Sequence, residues 1–463
     1  MKLLIPVLVA AAMFAALPLN GEQLDLSTAW QEAREYDARL GVAQADNLIY
    51  REEVGKARAQ LRPSVRLSAA QGRNDTQTTS QKYVFGVLIP GQKTKTDQLY
   101  NTANYGVSVR QPLLNMSNYA AYKQARAVAA KSDIDLQKED TALIVRTTEA
   151  YCNALYAEDN LEFSQALIKA AQEQFQQAKR RFEKGFGTIT EINEAQANYD
   201  MALADGLEIV NSVEFTRREL EHLTGHYPDN LCKFVPEKIV LAQPEPANLQ
   251  PWLDMALANN RDVLGGRQEI LIAKRESEKQ HYSRYPTIDL VAGRNYSDSE
   301  SNYAIGSIYD TYSIALQLSM PIYSGGYISA SVRQAHAKRL KAQEQLMLQE
   351  RGVQSDVRKY YNSIVTGIAQ IHAYEQAVTS HEIALTGTKK GFEAGLRSNV
   401  EVLDAQQKLF ASRRNLAKSR YQYILNRLML KQTSGTLSAS DVEEVNGWLS
   451  PVIRLASPRG ISP

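Results

Sequence analysis

The sequence predicts an elongated α+β fold in which one unit, helix–strand–strand–long helix–turn–helix, is written twice along the chain. Three observations support this prediction. The phrase RFEKGFGTITEINEAQ, which begins at Arg181, returns as GFEAGLRSNVEVLDAQ at Gly391. A long proline-free segment surrounds each phrase, and each segment follows two stretches in which apolar and polar residues alternate. An internal repeat of this kind indicates a duplicated structural unit.

The first residues, 1–21, are predicted to be a secretory signal peptide. One Lys is followed by an apolar run from Leu3 to Leu17, which is short for a bilayer span. A retained membrane anchor is the alternative. At the other end, residues 450–463 are rich in Pro and Ser, and we expect them to be disordered.

The first repeat is assigned to residues 22–230 and the second to residues 251–449, with a linker at 231–250. In each repeat a helical stretch comes first, at about 27–61 and 251–283. Period-two alternation, as in PSVRLSAA, predicts strands with one apolar face. The predicted strands lie at about 62–71, 104–113, 285–296 and 309–322.

Apolar residues then recur at three-and-four spacing on both sides of each glycine phrase, which is typical of antiparallel coiled-coil helices. The turns between these helices are assigned to residues 184–188 and 394–398. Four strands cannot close a membrane barrel, because the smallest such barrels need about eight. Three identical chains in a ring would supply twelve strands without a free edge, and the helices would continue the barrel as a tube. The predicted assembly is a duct.

Composition excludes several other classes of protein. The 53 Lys and Arg nearly balance the 51 Asp and Glu, and charges of both signs are interleaved, so no nucleic-acid partner is expected. No nucleophile motif, phosphate loop or metal-binding motif occurs, so we expect no enzyme, no catalytic residue, no metal and no cofactor. Cys152 and Cys232 could form a disulfide in an oxidising compartment, and two buried thiols are the alternative.

Longer motifs in the sequence resemble those of a known family. The order of the elements, GGYISASVRQA after the last predicted strand, LTG at 223–225, and AGLRSNVEVLDAQQKLFASRRNLAKSRYQYILNRLMLKQTSGTLSASD together closely resemble the TolC family of outer-membrane efflux proteins. The resemblance runs from about Leu24 to Trp448. It implies a homotrimer with a 12-stranded β-barrel in the outer membrane, continued by a periplasmic α-helical barrel. The implied partners are a periplasmic adaptor protein, an inner-membrane ABC or proton-driven transporter, and outer-membrane lipid.

The resemblance also implies roles for residues at the two turns, which in the family form the periplasmic tip. The expected adaptor-docking residues are Gly185, Phe186, Gly187, Gly395 and Leu396, although the glycines could serve only the left-handed turn. Glu401 and Asp404 match the positions of an acidic ring at the pore constriction. As first-turn acids they could instead only complement the helix dipole.

A latch that holds the tip closed is implied by four further positions. Arg397 corresponds to the family's gate arginine, and Thr190 and Glu191 correspond to its partners on the neighbouring hairpin. A tyrosine often seen at the gate is Phe392 here, which removes one hydroxyl from the latch.

The sequence leaves more than one exported cargo possible. Type I protein secretion is the first expectation, since no cysteine lies near the predicted cleavage site and the non-lipidated branch of the family often serves it. Multidrug or small-molecule efflux is the alternative. A non-conducting coiled-coil protein that bridges the envelope layers is a remote third.

Overall fold

The computed structural model describes residues 23–302 and 305–450. The predicted signal peptide lies outside the described residues, and so does the predicted disordered tail apart from Ser450. In chain order, the α-helices of the described residues are α1 Leu26–Tyr36, α2 Ala38–Ala59, α3 Met116–Glu183, α4 Ile189–Thr224, α5 Leu249–Asn259, α6 Arg261–Tyr282, α7 Tyr327–Glu393, α8 Asn399–Ser434 and α9 Ala439–Asn446. The strands are β1 Ser64–Val84, β2 Val87–Leu114, β3 Thr287–Asn302 and β4 Ile305–Ser319.

The chain divides into two compact units. One holds the described residues up to Gly41, Lys138–Asn260 and the described residues from Gly352 onward. The other holds Val42–Gln137 and Arg261–Arg351, including all four strands. Each unit draws on both sequence repeats, so the duplicated segments are units of sequence and not separate compact bodies.

The helical stretch predicted at about 27–61 is two helices, and so is the stretch predicted at 251–283. Asp37 leaves the helical conformation with ψ 117°, and its Oδ1 accepts the backbone N–H of Leu40 at 2.7 Å. Asn260 interrupts the second stretch with ψ 131°, and its Nδ2 donates to the carbonyl oxygen of Thr433 at 2.9 Å. Asp and Asn side chains compete with the helical backbone for hydrogen bonds, which is why the helices break at these residues.

A left-handed glycine ends each helix of 36 residues. Gly225 (φ 80°) closes α4 and Gly435 (φ 73°) closes α8. A Cβ on Gly225 would lie 2.7 Å from the Tyr36 ring, and one on Gly435 would lie 2.4 Å from the carbonyl oxygen of Asn259. Both helix ends are thus packed against the last residues of the short helices, α1 and α5.

The four strands form one antiparallel sheet in the order β1-β2-β3-β4. Directly paired residues share a face of a sheet, so the register assigns every side chain to one side. One face is apolar: Val65, Leu67, Val107, Val109, Ile288, Leu290, Ile314, Leu316 and Leu318. The opposite face is polar or small: Ser64, Arg66, Ser68, Ser108, Arg110, Asp289, Gly293, Ser313 and Gln317.

Aromatic side chains lie where the apolar face ends, on the side towards the turn between β1 and β2. The rings of Tyr105 and Tyr296 stack at 6.3 Å, and the guanidinium of Arg294 lies 4.8 Å from the Tyr312 ring. Tyrosine is enriched where a membrane protein leaves the hydrocarbon layer, because its ring is apolar and its hydroxyl is polar.

The first two strands are much longer than predicted. The last pair between β2 and β3 is Thr102 with Ser299, whereas β1 and β2 continue as a two-stranded ribbon to a turn at Phe85–Gly86. The predicted ends at about 71 and 104 were wrong because the apolar alternation stops there. Between Arg73 and Gln81 on β1, and between Lys93 and Asn101 on β2, both faces of the ribbon are mostly polar. These strands are held by backbone pairing, which does not depend on side-chain pattern.

The two long helices have 68 residues (α3) and 67 residues (α7), which is about 100 Å each at 1.5 Å per residue. α3 pairs with α4 through Glu158 and Arg217 at 2.7 Å, and α7 pairs with α8 through Glu375 and Arg420 at 2.8 Å. No described helix has both the length and the apolar character required to span a membrane.

The possible disulfide is not formed, since Cys152 and Cys232 are two separate buried thiols. Burial raises the pKa of the Cys152 thiol, with a smaller contribution from the charge of Glu149. The neighbouring Tyr151 donates hydrogen bonds to the carbonyl oxygens of Leu24 (2.9 Å) and Cys232 (2.8 Å). The backbone around Cys232 is therefore fastened to α3 by this tyrosine and not by a sulfur bridge.

Candidate functional site at the two helical turns

The turns at 184–188 and 394–398, called the turn region below, have the same backbone design. In the first, the N–H of Gly185 donates to Phe182 O (2.9 Å) and that of Phe186 to Arg181 O (2.9 Å). In the second, the N–H of Gly395 donates to Phe392 O (3.0 Å) and that of Leu396 to Gly391 O (2.8 Å). These two bonds with a left-handed glycine define a Schellman motif, and the φ values are 78° and 75°.

The helix that follows each turn is capped in the same way. Thr188 Oγ1 accepts the N–H of Glu191 at 3.2 Å, and Ser398 Oγ accepts the N–H of Glu401 at 3.3 Å. Each hydroxyl residue is followed three positions later by a glutamate, the spacing of a capping box. The repeated phrase in the sequence therefore encodes one local motif. In it, one helix ends in a Schellman motif and the next helix begins with a side-chain cap.

Two apolar side chains project from the turns. Phe186 is 75% exposed and Leu396 is 82% exposed. They occupy the same position, directly after the left-handed glycine, where an apolar residue usually packs back onto its own helix. Here neither does so, and the chain presents one large apolar group at each turn.

Each predicted acid of the pore constriction has a basic partner one helical turn away. Glu401 Oε2 lies 3.3 Å from Arg397 Nη1, and Asp404 Oδ2 lies 2.6 Å from Lys408 Nζ. All four side chains are exposed, so the pairs stabilise the helix little and exchange readily with solvent. The two carboxylates lie on the same exposed side of α8, whereas Val402 and Leu403 are buried.

The predicted latch is not made within the chain. The described contacts of Arg397 include Glu401 but neither Thr190 nor Glu191. Arg397 is also held close to the end of α7, since a Cβ on Gly391 would lie 2.8 Å from Arg397 Cγ. Gly391 thus leaves the space that the aliphatic part of Arg397 occupies.

Three contacts join the two hairpins near the turn region, and none of them was predicted from the sequence. The Arg181 guanidinium lies 4.9 Å from the Phe392 ring, a cation–π geometry. Gln174 Nε2 donates to Gln406 Oε1 at 2.9 Å in a buried position. The third contact is an apolar cluster of Ala171, Ala202 and Leu403. Gln406 is identical to Gln196 in the repeat, yet Gln196 is exposed, so the repeat gave no signal of this bond.

The turn region presents exposed apolar side chains and exposed ion pairs. Within the described residues, no cluster of three or more His, Cys, Asp or Glu has the arrangement of a metal site. Exposed apolar groups beside exchangeable ion pairs suit contact with another protein chain.

The known proteins that are similar to this chain point to one family. A family model described as outer membrane efflux protein matches residues 29–226 and 252–436, most of both repeats. The chain is 32% identical to the alkaline protease secretion protein AprF of Pseudomonas aeruginosa, over 91% of this chain and 86% of AprF. It is 30% identical to the outer membrane protein TolC of Vibrio cholerae, over 97% of this chain and 99% of TolC.

The fold is also that of a solved structure. The outer membrane protein VceC of Vibrio cholerae superimposes with a TM-score of 0.72 at 19% sequence identity, over 89% of this chain and 96% of VceC. The predicted class of α+β fold is therefore confirmed.

Proposed function

Because the chain belongs to the outer membrane efflux protein family and resides in the outer membrane, we propose that it is the exit duct of an export system that serves type I protein secretion. An adaptor protein in the periplasm and a transporter in the inner membrane would complete the system and supply the energy. The duct itself would conduct passively.

The two-faced sheet is the observation that carries this proposal. Its apolar face is exposed in the single chain, with Leu67 at 77% and Leu316 at 67%. The outer edges of β1 and β4 have no strand partner in the described chain. Three copies joined edge to edge would close a barrel of twelve strands, with lipid against the apolar face and water against the polar face.

The protein cargo is supported by the kind of relative that matches. AprF is named for the secretion of alkaline protease, and the match spans most of both chains. Small-molecule efflux is the second candidate, because the family description itself is that of an efflux protein.

Complementation would separate the two cargoes. We expect the chain, expressed in a Gram-negative strain without its own channel, to restore secretion of a protease by a co-expressed type I transporter and adaptor. The same strain is tested for resistance to dyes and detergents exported by a proton-driven pump. Restored resistance without protease secretion would favour the efflux duct, and restoration of neither would contradict the proposal.

At the turn region we propose three roles. Phe186, Leu396 and the glycines Gly185, Gly187 and Gly395 would form the surface on which the adaptor docks. Glu401 and Asp404 of three copies would surround the constriction, where carboxylates favour cations over anions. Arg397 of one copy would latch onto Thr190 and Glu191 of the next, with Phe392 packed beside them.

Replacing Arg397 with alanine should open the closed duct. Each copy would lose one charge-assisted hydrogen bond, about 1.5–3 kcal/mol, so we expect the mean current through the reconstituted protein to rise by at least about tenfold. Single-channel recording in planar bilayers measures this current.

Lys408→Ala is the matched control. Like Arg397→Ala, it removes a cation that lies one helical turn from an acid, but here the acid is Asp404. It leaves Arg397 in place. A rise with both variants would point to simple exposure of the carboxylates, and an unchanged current with Arg397→Ala would remove Arg397 from the gate.

A further inference from the structure

The polar face of the sheet carries very few charged side chains. On the described strands, the charged residues of this face are Arg66, Arg110 and Asp289. The residues beyond the bulge between Gln81 and Tyr83, next to the ribbon turn, are not counted. All other residues of the face are neutral, mostly Ser, Thr, Asn and Gly. Three charges on three neighbouring strands therefore set the electrostatics of this whole surface.

Two of the three charges cancel. Arg110 Nη2 donates to Asp289 Oδ2 at 2.5 Å, and the Asp289 side chain is only 6% exposed. A nearly buried carboxylate keeps its guanidinium partner close, since separation would leave an uncompensated charge. Arg110 is thus committed to Asp289.

Arg66 is exposed and has no ion-pair partner among the described residues. It is paired across the strands with Ser108, while Arg110 is paired with Ser64. The two arginines are therefore diagonal neighbours on one face, about 7–8 Å apart at their Cα atoms. Each chain keeps one uncompensated positive charge at this level of the sheet.

A neighbouring copy cannot neutralise Arg66 from its own edge strand. In a closed barrel β1 would lie beside β4 of the next chain, since these are the two open edges. The residues of β4 on the polar face are Ser307, Tyr309, Thr311, Ser313, Ala315, Gln317 and Ser319. None is charged, and Asp310 points to the apolar side, where it pairs with Arg294 at 2.7 Å.

We infer that Arg66 of three copies forms a basic ring inside the barrel that binds the carboxylates of anionic segments in the exported polypeptide. This inference rests on the proposed trimeric duct. The guanidinium presents a fork of N–H donors that matches a carboxylate, and its charge is permanent. A ring of such groups on the wall of a pore retards and selects anions. It would give the barrel a preference opposite to that expected of Glu401 and Asp404.

The test uses hexaglutamate as a soluble probe of the ring. The full chain is reconstituted in planar bilayers, and hexaglutamate is added on the side of the bilayer opposite the long helices. The hexaglutamate concentration that halves the current is recorded. We expect Arg66→Gln to raise this concentration about three-fold or more at about 0.1 M salt, where charges act over about 10 Å. Arg66→Lys should retain the block.

Arg73→Gln is the matched control, because Arg73 lies on the same strand but on the opposite face. It removes the same charge and should leave the block unchanged. Parental channels that conduct but are blocked equally after Arg66→Gln, or are not blocked at all, would overturn the basic ring and leave the duct intact. Parental protein that inserts without conducting would overturn the duct and the ring together.

Discussion

Replacing Leu316 with arginine is expected to prevent the chain from assembling in the outer membrane. Leu316 lies in the middle of the apolar face, between Ile314 and Leu318 on the same strand, and it is 67% exposed in the single chain. Arginine on the lipid side of a membrane barrel costs about 2–4 kcal/mol near the bilayer midplane. Three copies would each bear this cost, so we expect almost no heat-resistant trimer in outer-membrane fractions.

The adjacent residue provides the control. Ala315 lies on the polar face, so Ala315→Arg adds the same side chain to the same strand but directs it towards water. We expect normal assembly of this variant. Equal assembly of Ala315→Arg and Leu316→Arg would mean that the apolar face does not contact lipid.

The second large effect is expected at Gly435, where alanine should lower the free energy of unfolding by about 2–4 kcal/mol. The residue has φ 73°, and a Cβ would lie 2.4 Å from the backbone oxygen of Asn259, which cannot rotate away. Strain in the left-handed conformation and displacement of the end of α5 both contribute. Thermal unfolding of the purified protein, followed by circular dichroism, measures the loss.

Gly395 separates the two contributions. It has nearly the same φ, 75°, but a Cβ there would meet no atom within 4 Å. Gly395→Ala should therefore show only the conformational cost, about 1–2 kcal/mol. If the two variants lose the same stability, the contact with Asn259 contributes nothing.

Local chemistry explains what the sequence could predict. The turn region is encoded by glycines and by a hydroxyl residue three positions before a glutamate, and these signals act within a few residues. The family resemblance is confirmed by the matching model and relatives. The roles of the turn residues stay predictions, because they depend on contacts with other chains.

The errors have physical causes as well. The ribbon of β1 and β2 escaped notice because polar strands far from a core need no alternation. The helix breaks at Asp37 and Asn260 were not predicted because each depends on the hydrogen bonds of one polar side chain. The bond between Gln174 and Gln406 joins residues far apart in the chain, and no pattern in one sequence pairs them.

The unequal hairpins have a consequence for tracking this protein in living cells. The β1–β2 ribbon extends about 40 Å beyond its last backbone pair with β3, at about 3.3 Å per residue, and Phe85 at its turn is fully exposed. In the proposed orientation, an epitope inserted between Phe85 and Gly86 would be displayed to antibodies outside the cell without disturbing the pairing of any other strand. Surface labelling of intact cells would then count correctly inserted molecules one by one, independently of whether they export anything.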